Sequence, residues 1–227
     1  MNGDRTSAWR SPTRWLPVLL GTLAAFTYSD YLVDLILQPK GVDELSIISH
    51  LEAPGAPYAR LLRACDIAAG LLSVALAPYL FRALPRGRLR WLPAALLVVF
   101  GVSGALTGII TDPCPDPSSG CGGAEGSLQQ HWHVILSGLG DAAILLCPLA
   151  VAIAARGRTA RWVPIASGVM FAVAIAAYAI YRDVIDLGWA DGLNQRIVVS
   201  LASAWLFIVG LIGASRPRAA SPPDRRS

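Results

Sequence analysis

Residues 91–111 read WLPAALLVVFGVSGALTGIIT, a run without a single charged side chain. A helix rising 1.5 Å per residue needs ~20 residues to cross a hydrocarbon core, and a helix bathed in water keeps a polar face that this run lacks. Arg82, Arg86, Arg88 and Arg90 stand before it, and Asp112 and Asp116 after it. Working outward, the pattern recurs. Apolar stretches cover residues 15–37, 58–81, 131–154, 162–181 and 197–214. Arg5, Arg10 and Arg14 precede the first stretch, Arg156, Arg158 and Arg161 separate the fourth from the fifth, and Arg216, Arg218, Arg225 and Arg226 follow the last. The alternate loops carry Asp43, Glu44 and Glu52, then Asp112, Asp116 and Glu125, then Asp183, Asp186 and Asp191. Basic loops stay in the cytoplasm, so both termini are expected there, and that requires an even number of spans. The fold expected is all-α: a polytopic membrane protein with six transmembrane helices in one bundle and both termini cytoplasmic.

Composition agrees. A chain of 227 residues that is 54% hydrophobic and 15% charged has room for one such bundle and no second domain. Residues 1–14 read as a disordered cytoplasmic arm, 15–214 as the transmembrane domain and 215–227 as a disordered cytoplasmic tail, both ends being rich in Arg, Pro and Ser. The first span reads as a retained signal anchor, because it continues past Asp30 and lacks a small-x-small cleavage site. The net charge of +4 is no nucleic-acid signal, since its arginines are sorted by loop and meet lipid phosphates. Arg in place of Lys, with abundant Ala, fits a GC-rich bacterial genome and the bacterial inner membrane. In the first outer loop, residues 42–51 fit a short surface helix. Gly101, Gly104 and Gly108 lie along one side of the third span, where close helix packing is the ordinary use of glycine.

Charged groups inside spans cost at least ~2.5 kcal/mol near the bilayer centre, so they point to function or to locked helix pairs. Asp30 and Asp34 share one face in the outer half of the first span. Arg60, Arg63 and Asp66 occupy the first turns of the second, and either arginine is a candidate ion-pair partner for Asp66. His131 and His133 stand at the mouth of the fourth, and His133, Ser137 and Asp141 follow at i, i+4, i+8. Tyr178, Tyr181, Arg182, Asp183 and Asp186 end the fifth; Asn194, Gln195, Arg196, Ser200 and Ser203 open the sixth. Nearly all of these fall in the outer half. A polar pocket open to the outer face is expected, and a continuous pore is not.

His131 and His133, beside Cys114, Cys121, Asp112 and Asp116, offer zinc-type donors, but the spacing is not that of a zinc knuckle. A Cys114–Cys121 disulfide on an oxidising face is the other reading of that loop, and no metal is expected. Cys65 and Cys147 are expected to pack as small hydrophobes. Nothing matches a nucleophile elbow, a Walker loop, HExxH or a dinucleotide fingerprint, so no cofactor is expected.

Residues 46–58, SIISHLEAPGAPY, running into Arg63-Ala64-Cys65-Asp66-Ile67 and Gly70, resemble the first outer loop and second span of a bacterial membrane family called domain of unknown function 998. The exit Gly108-Ile109-Ile110-Thr111-Asp112, the His131/His133 entry, and Asn194-Gln195-Arg196 with Trp205 are similar to it as well. The resemblance covers most of residues 15–214 and implies a six-helix membrane fold. It brings no settled activity.

Two function classes stay open. In the first, the pocket binds or moves a lipid or other amphiphile, or the chain is an accessory membrane subunit. Asp30, Arg63, His131, Tyr178, Arg182 and Arg196 are its binding candidates. In the second, an intramembrane acid–base enzyme, for example a cyclase or hydrolase, acts on a lipid or isoprenoid. There Asp141 or Asp66 donates a proton and His133 or a second carboxylate receives it, with Tyr178, Tyr181 and Trp132 lining the cavity. The expected partners are membrane lipid and a lipid or isoprenoid ligand, with no nucleic acid.

Overall fold

The computed structural model describes residues 15–37, 48–113, 126–155, 162–184 and 190–215. Among them every regular element is a helix: α1 (Leu16–Tyr28), α2 (Tyr31–Leu37), α3 (Ile48–Leu51), α4 (Ala59–Ala83), α5 (Trp91–Ile109), α6 (Leu128–Ala154), α7 (Trp162–Val184) and α8 (Ala190–Ala214). Four segments are long and apolar enough to cross a membrane: Ala59–Ala83, Trp91–Ile109, Leu128–Ala154 and Gln195–Ala214. Leu16–Tyr28 and Trp162–Ala174 are shorter apolar helices.

Local chemistry sets several boundaries. Ser127 caps α6, its hydroxyl accepting from the Gln130 amide at 3.2 Å. Leu84, just before Pro85, turns extended (φ −82°, ψ 149°) and ends α4, as a residue preceding proline prefers. The first apolar stretch is not one helix. It breaks at Ser29–Asp30, where Ser29 Oγ turns back on the Ala25 carbonyl and Asp30 is 4% exposed. Hydroxyl contacts tie the break to α8. Ser203 bonds Ser29 at 2.9 Å, and Tyr31 donates to Ser200, whose own proton goes to the Arg196 carbonyl.

The long helices form a ring. α1 packs on α4, α4 on α5, α5 on α6, α6 on α7, α7 on α8, and α8 returns to α1. α8 also leans across onto α4 while barely touching α6. Small residues permit the closest crossings. A Cβ on Gly101 would lie 2.5 Å from the Gly70 carbonyl, and one on Gly21 would lie 2.8 Å from Gly210 Cα. The core fills one end: Leu76, Leu80, Leu97, Val151, Leu206 and Val209 are fully enclosed there, with Trp205 above them. Outward faces stay apolar, with Phe26 77%, Ile109 65% and Ile165 64% exposed. Such faces on every side of the bundle suit lipid as solvent, and the protein is an integral membrane protein.

Candidate functional site

The gap that α8 leaves against α6 is a cavity of about 810 Å³. Phe100, Ile144, Leu145, Pro148, Met170, Val198 and Trp205 form its apolar walls and floor, and Asp30, Glu52, Asp66, Asp112, Asp141 and His133 supply its polar lining. Most of the polar lining comes from the same end of the bundle, where α1 finishes and α4, α6 and α8 begin. Asp141, thirteen residues into α6, lies about 20 Å along that helix from its start. It opens onto the cavity and is accessible through it.

Three carboxyls meet at this end. Asp30 from the α1–α2 break, Glu52 after α3 and Asp66 from α4 each bring one oxygen within 4.8 Å of the others. The Asp30 carboxylate accepts from its own backbone N–H and from that of Tyr31, while its Oδ2 is buried without a hydrogen-bond partner. Glu52 and Asp66 hydrogen-bond to one another, which places one proton between them. Burial first, and then the charges of Asp66 and Asp30, hold the Glu52 carboxyl well above its usual range against the pull of Arg63.

The chain folds Glu52 inward by pinning the short α3 from two sides. The Ile48 amide donates to Gln195 Oε1 of α8 at 2.6 Å, and Arg63 Nε of α4 donates to the Glu52 carbonyl at 2.6 Å. Ile48, Leu51 and Ala53 are buried beneath. At the facing wall, His133 Nδ1 bonds the Ile110 carbonyl at 2.8 Å, and Gln129 donates to the Thr111 carbonyl at 2.9 Å. A carbonyl only accepts, so Nδ1 carries the proton and a neutral His133 keeps Nε2 as an acceptor. These two contacts fix the α5 exit and bring Asp112 into the lining.

Of the residues singled out in the sequence, Asp30, Asp66, Asp141 and His133 line this one cavity. Arg63 stands behind the carboxyl cluster with its guanidinium on a backbone carbonyl. What meets Asp66 is the Glu52 carboxyl rather than a guanidinium, and Arg60 is exposed. Arg196 is buried off the cavity, donating to the Gly192 carbonyl at 3.0 Å. His131 is exposed and turns back on the Ser127 carbonyl, and Trp132 is 49% exposed. The side chains of Asp34, Tyr178, Tyr181 and Arg182, the 114–121 cysteine loop and residues 42–47 of the expected surface helix lie outside the described residues. Cys147 packs as expected, fully buried among hydrophobes, and Cys65 is half-buried. Glu52 went unrecognised because an acid in an outer loop reads as solvated. Its signal was the apolar Ile48 and Leu51 just before it and Arg63 one turn into the next helix. Gly104 also departs from its glycine neighbours: nothing lies within 4 Å of a Cβ built there, and it opens onto the cavity.

A model of a family of proteins of unknown function, DUF998, matches residues 36–212. The chain belongs to that family. The family match takes in Glu52, Asp66, Asp141 and His133 and begins six residues after Asp30. No curated protein and no solved structure matches the chain. The all-oxygen set of Asp30, Glu52 and Asp66 has the chemistry to receive a cation, and the cavity beside it has the size of a small-molecule site.

Proposed function

We propose that this protein is a six-span protein of the bacterial inner membrane, termini in the cytoplasm, that binds or moves a lipid or other amphiphile in the cavity between α6 and α8. The observation that carries the reading is the cavity's two-sided lining: about 810 Å³ with apolar walls over its length and carboxyls gathered at one end. An apolar chain gains from leaving water or headgroups for such walls, while a polar head finds fixed partners at the carboxyl end. The filled core at the opposite end supports a closed-bottomed pocket over a pore. The sorting of arginine among the loops supports a polar end that faces outward.

Gly104→Leu tests this directly, because a Cβ at this position meets no atom within 4 Å and the position opens onto the cavity. Wild type purified into nanodiscs is expected to retain an amphiphile detectable by native mass spectrometry, and the variant to lose it at unchanged monodispersity. Equal retention by both proteins, or no bound amphiphile in wild type, refutes the reading.

One observation favours a second reading, intramembrane acid–base catalysis on a lipid or isoprenoid. Asp66, Asp141 and His133 line the same cavity, and His133 presents Nε2 as a base. Lipidomic comparison of cells with and without the gene, and with Asp141→Asn, separates the two. Catalysis requires a substrate that accumulates equally in the deletion and the variant, whereas binding alone leaves Asp141→Asn close to wild type.

A further inference from the structure

We propose that the amphiphile's head is a monovalent cation, an ammonium group, seated at the Asp30–Glu52–Asp66 cluster. The inference rests on the cavity being an amphiphile site and adds the sign and class of its ligand.

Charge complementarity is the first support. Five carboxyl-bearing side chains line the cavity, and among the described residues no Lys or Arg does. An anionic head brought there meets only like charge in a medium that screens poorly. The second support is an orphan: Asp30, 4% exposed, turns Oδ2 to no hydrogen-bond partner in a region where every buried acceptor needs one. An ammonium N–H supplies that donor. Third, Arg63, whose charge acts on Glu52, donates Nε to the Glu52 carbonyl, keeps Nη2 buried without a partner among the described residues and does not line the cavity.

The balance of charge selects a monovalent ion over a divalent metal. Three buried carboxyls this close cannot all stay ionised: Glu52 and Asp66 share a proton, and Arg63 draws on the same cluster, which leaves it short of the charge that a divalent metal needs. Calcium takes six to eight oxygens and magnesium an octahedron of them, whereas aromatic rings stand beside the cluster: Tyr28 and Phe100, edge to face at 5.2 Å, line the cavity together with Trp205. Aromatic faces suit the methylenes next to an ammonium and add cation–π attraction.

Photo-crosslinking of the full chain in phosphatidylcholine nanodiscs tests the proposal. Three diazirine probes share one dodecyl chain and end in a primary ammonium, a sulfate or a hydroxyl. The expected result is labelling of cavity peptides by the ammonium probe at least about ten-fold above the sulfate probe, the scale that one uncompensated charge commands here. Asp30→Asn and Glu52→Gln each cut the ammonium signal several-fold. Equal cavity labelling by all three heads, lost in Gly104→Leu, overturns the ammonium assignment while leaving amphiphile binding intact. Labelling of the cavity by no probe overturns both. Abolition of ammonium labelling by millimolar magnesium or calcium, reversed by chelation and absent in Asp30→Asn, also overturns it by assigning the cluster to a divalent metal. The head-group comparison is made on wild type, so a variant that fails to fold does not spoil it.

Discussion

At Glu52 a carboxyl group sits 4% exposed beside two other acids, and what keeps it there is a proton and two backbone contacts rather than an ion pair. Glu52→Gln retains a donor for Asp66 and the shape of the side chain. It is expected to change stability by less than about 1 kcal/mol, whereas Glu52→Ala leaves Asp66 without its partner and costs about 1–3 kcal/mol. Thermal unfolding of the two variants in one detergent checks the difference, and equal midpoints would mean that the carboxyl–carboxyl bond contributes nothing. Asp30, Asp66, Asp141 and His133 were legible in the sequence because a charge inside an apolar run is conspicuous wherever the helix turns. Glu52 was not, because depth was read from the span boundaries and a loop acid was assigned to water. The bond from Gln195 to Ile48 that folds this loop inward joins residues 147 apart, beyond any local pattern.

Between helices, the same residue type does opposite work a turn apart on α5. Gly101 lies against the Gly70 carbonyl, so Gly101→Ala forces α4 and α5 apart and is expected to cost about 1–3 kcal/mol. Gly104 faces open space, so Gly104→Ala is expected to hold stability equal to wild type or raise it by up to about 1 kcal/mol, since alanine is the better helix former. Melting both variants beside wild type decides the matter; a reversed order would place α5 in a different rotation. The sequence marked these glycines as a packing stripe, and rotation about the helix axis, set by α4 and α6, is what separated packing from cavity. Capping, being local, was more accessible. Ser127 begins α6 four residues before the apolar run that announced it, and Ser127→Ala should cost about 1 kcal/mol by releasing the Gln130 amide. The break at Ser29–Asp30 could not be read ahead, because the hydroxyls that stabilise it belong to α8.

For the molecule as a whole, one end of the bundle is filled with Leu, Val and Trp205 and the other is hollow and acidic. The division follows the sequence closely: apolar residues dominate the half next to the arginine loops, and Leu76, Leu80, Leu97, Val151 and Val209 pack together there. The hollow half arises where charged groups from five segments need room and hydrogen bonds, so α8 can lean onto α4 and leave α6. Which side of the membrane receives the hollow end depends on the loops. Arg86 and Arg88, both exposed, lie on the connection at the filled end, and loops rich in arginine resist translocation. Single cysteines placed at Arg86 and at Ser118, in a chain whose four native cysteines are replaced, report the orientation. An impermeant maleimide is expected to label the Ser118 position in intact cells and the Arg86 position only after permeabilisation. Labelling of both from outside, or of Arg86 alone, would turn the acidic end toward the cytoplasm, and a ligand would then reach its carboxyls from the inner leaflet.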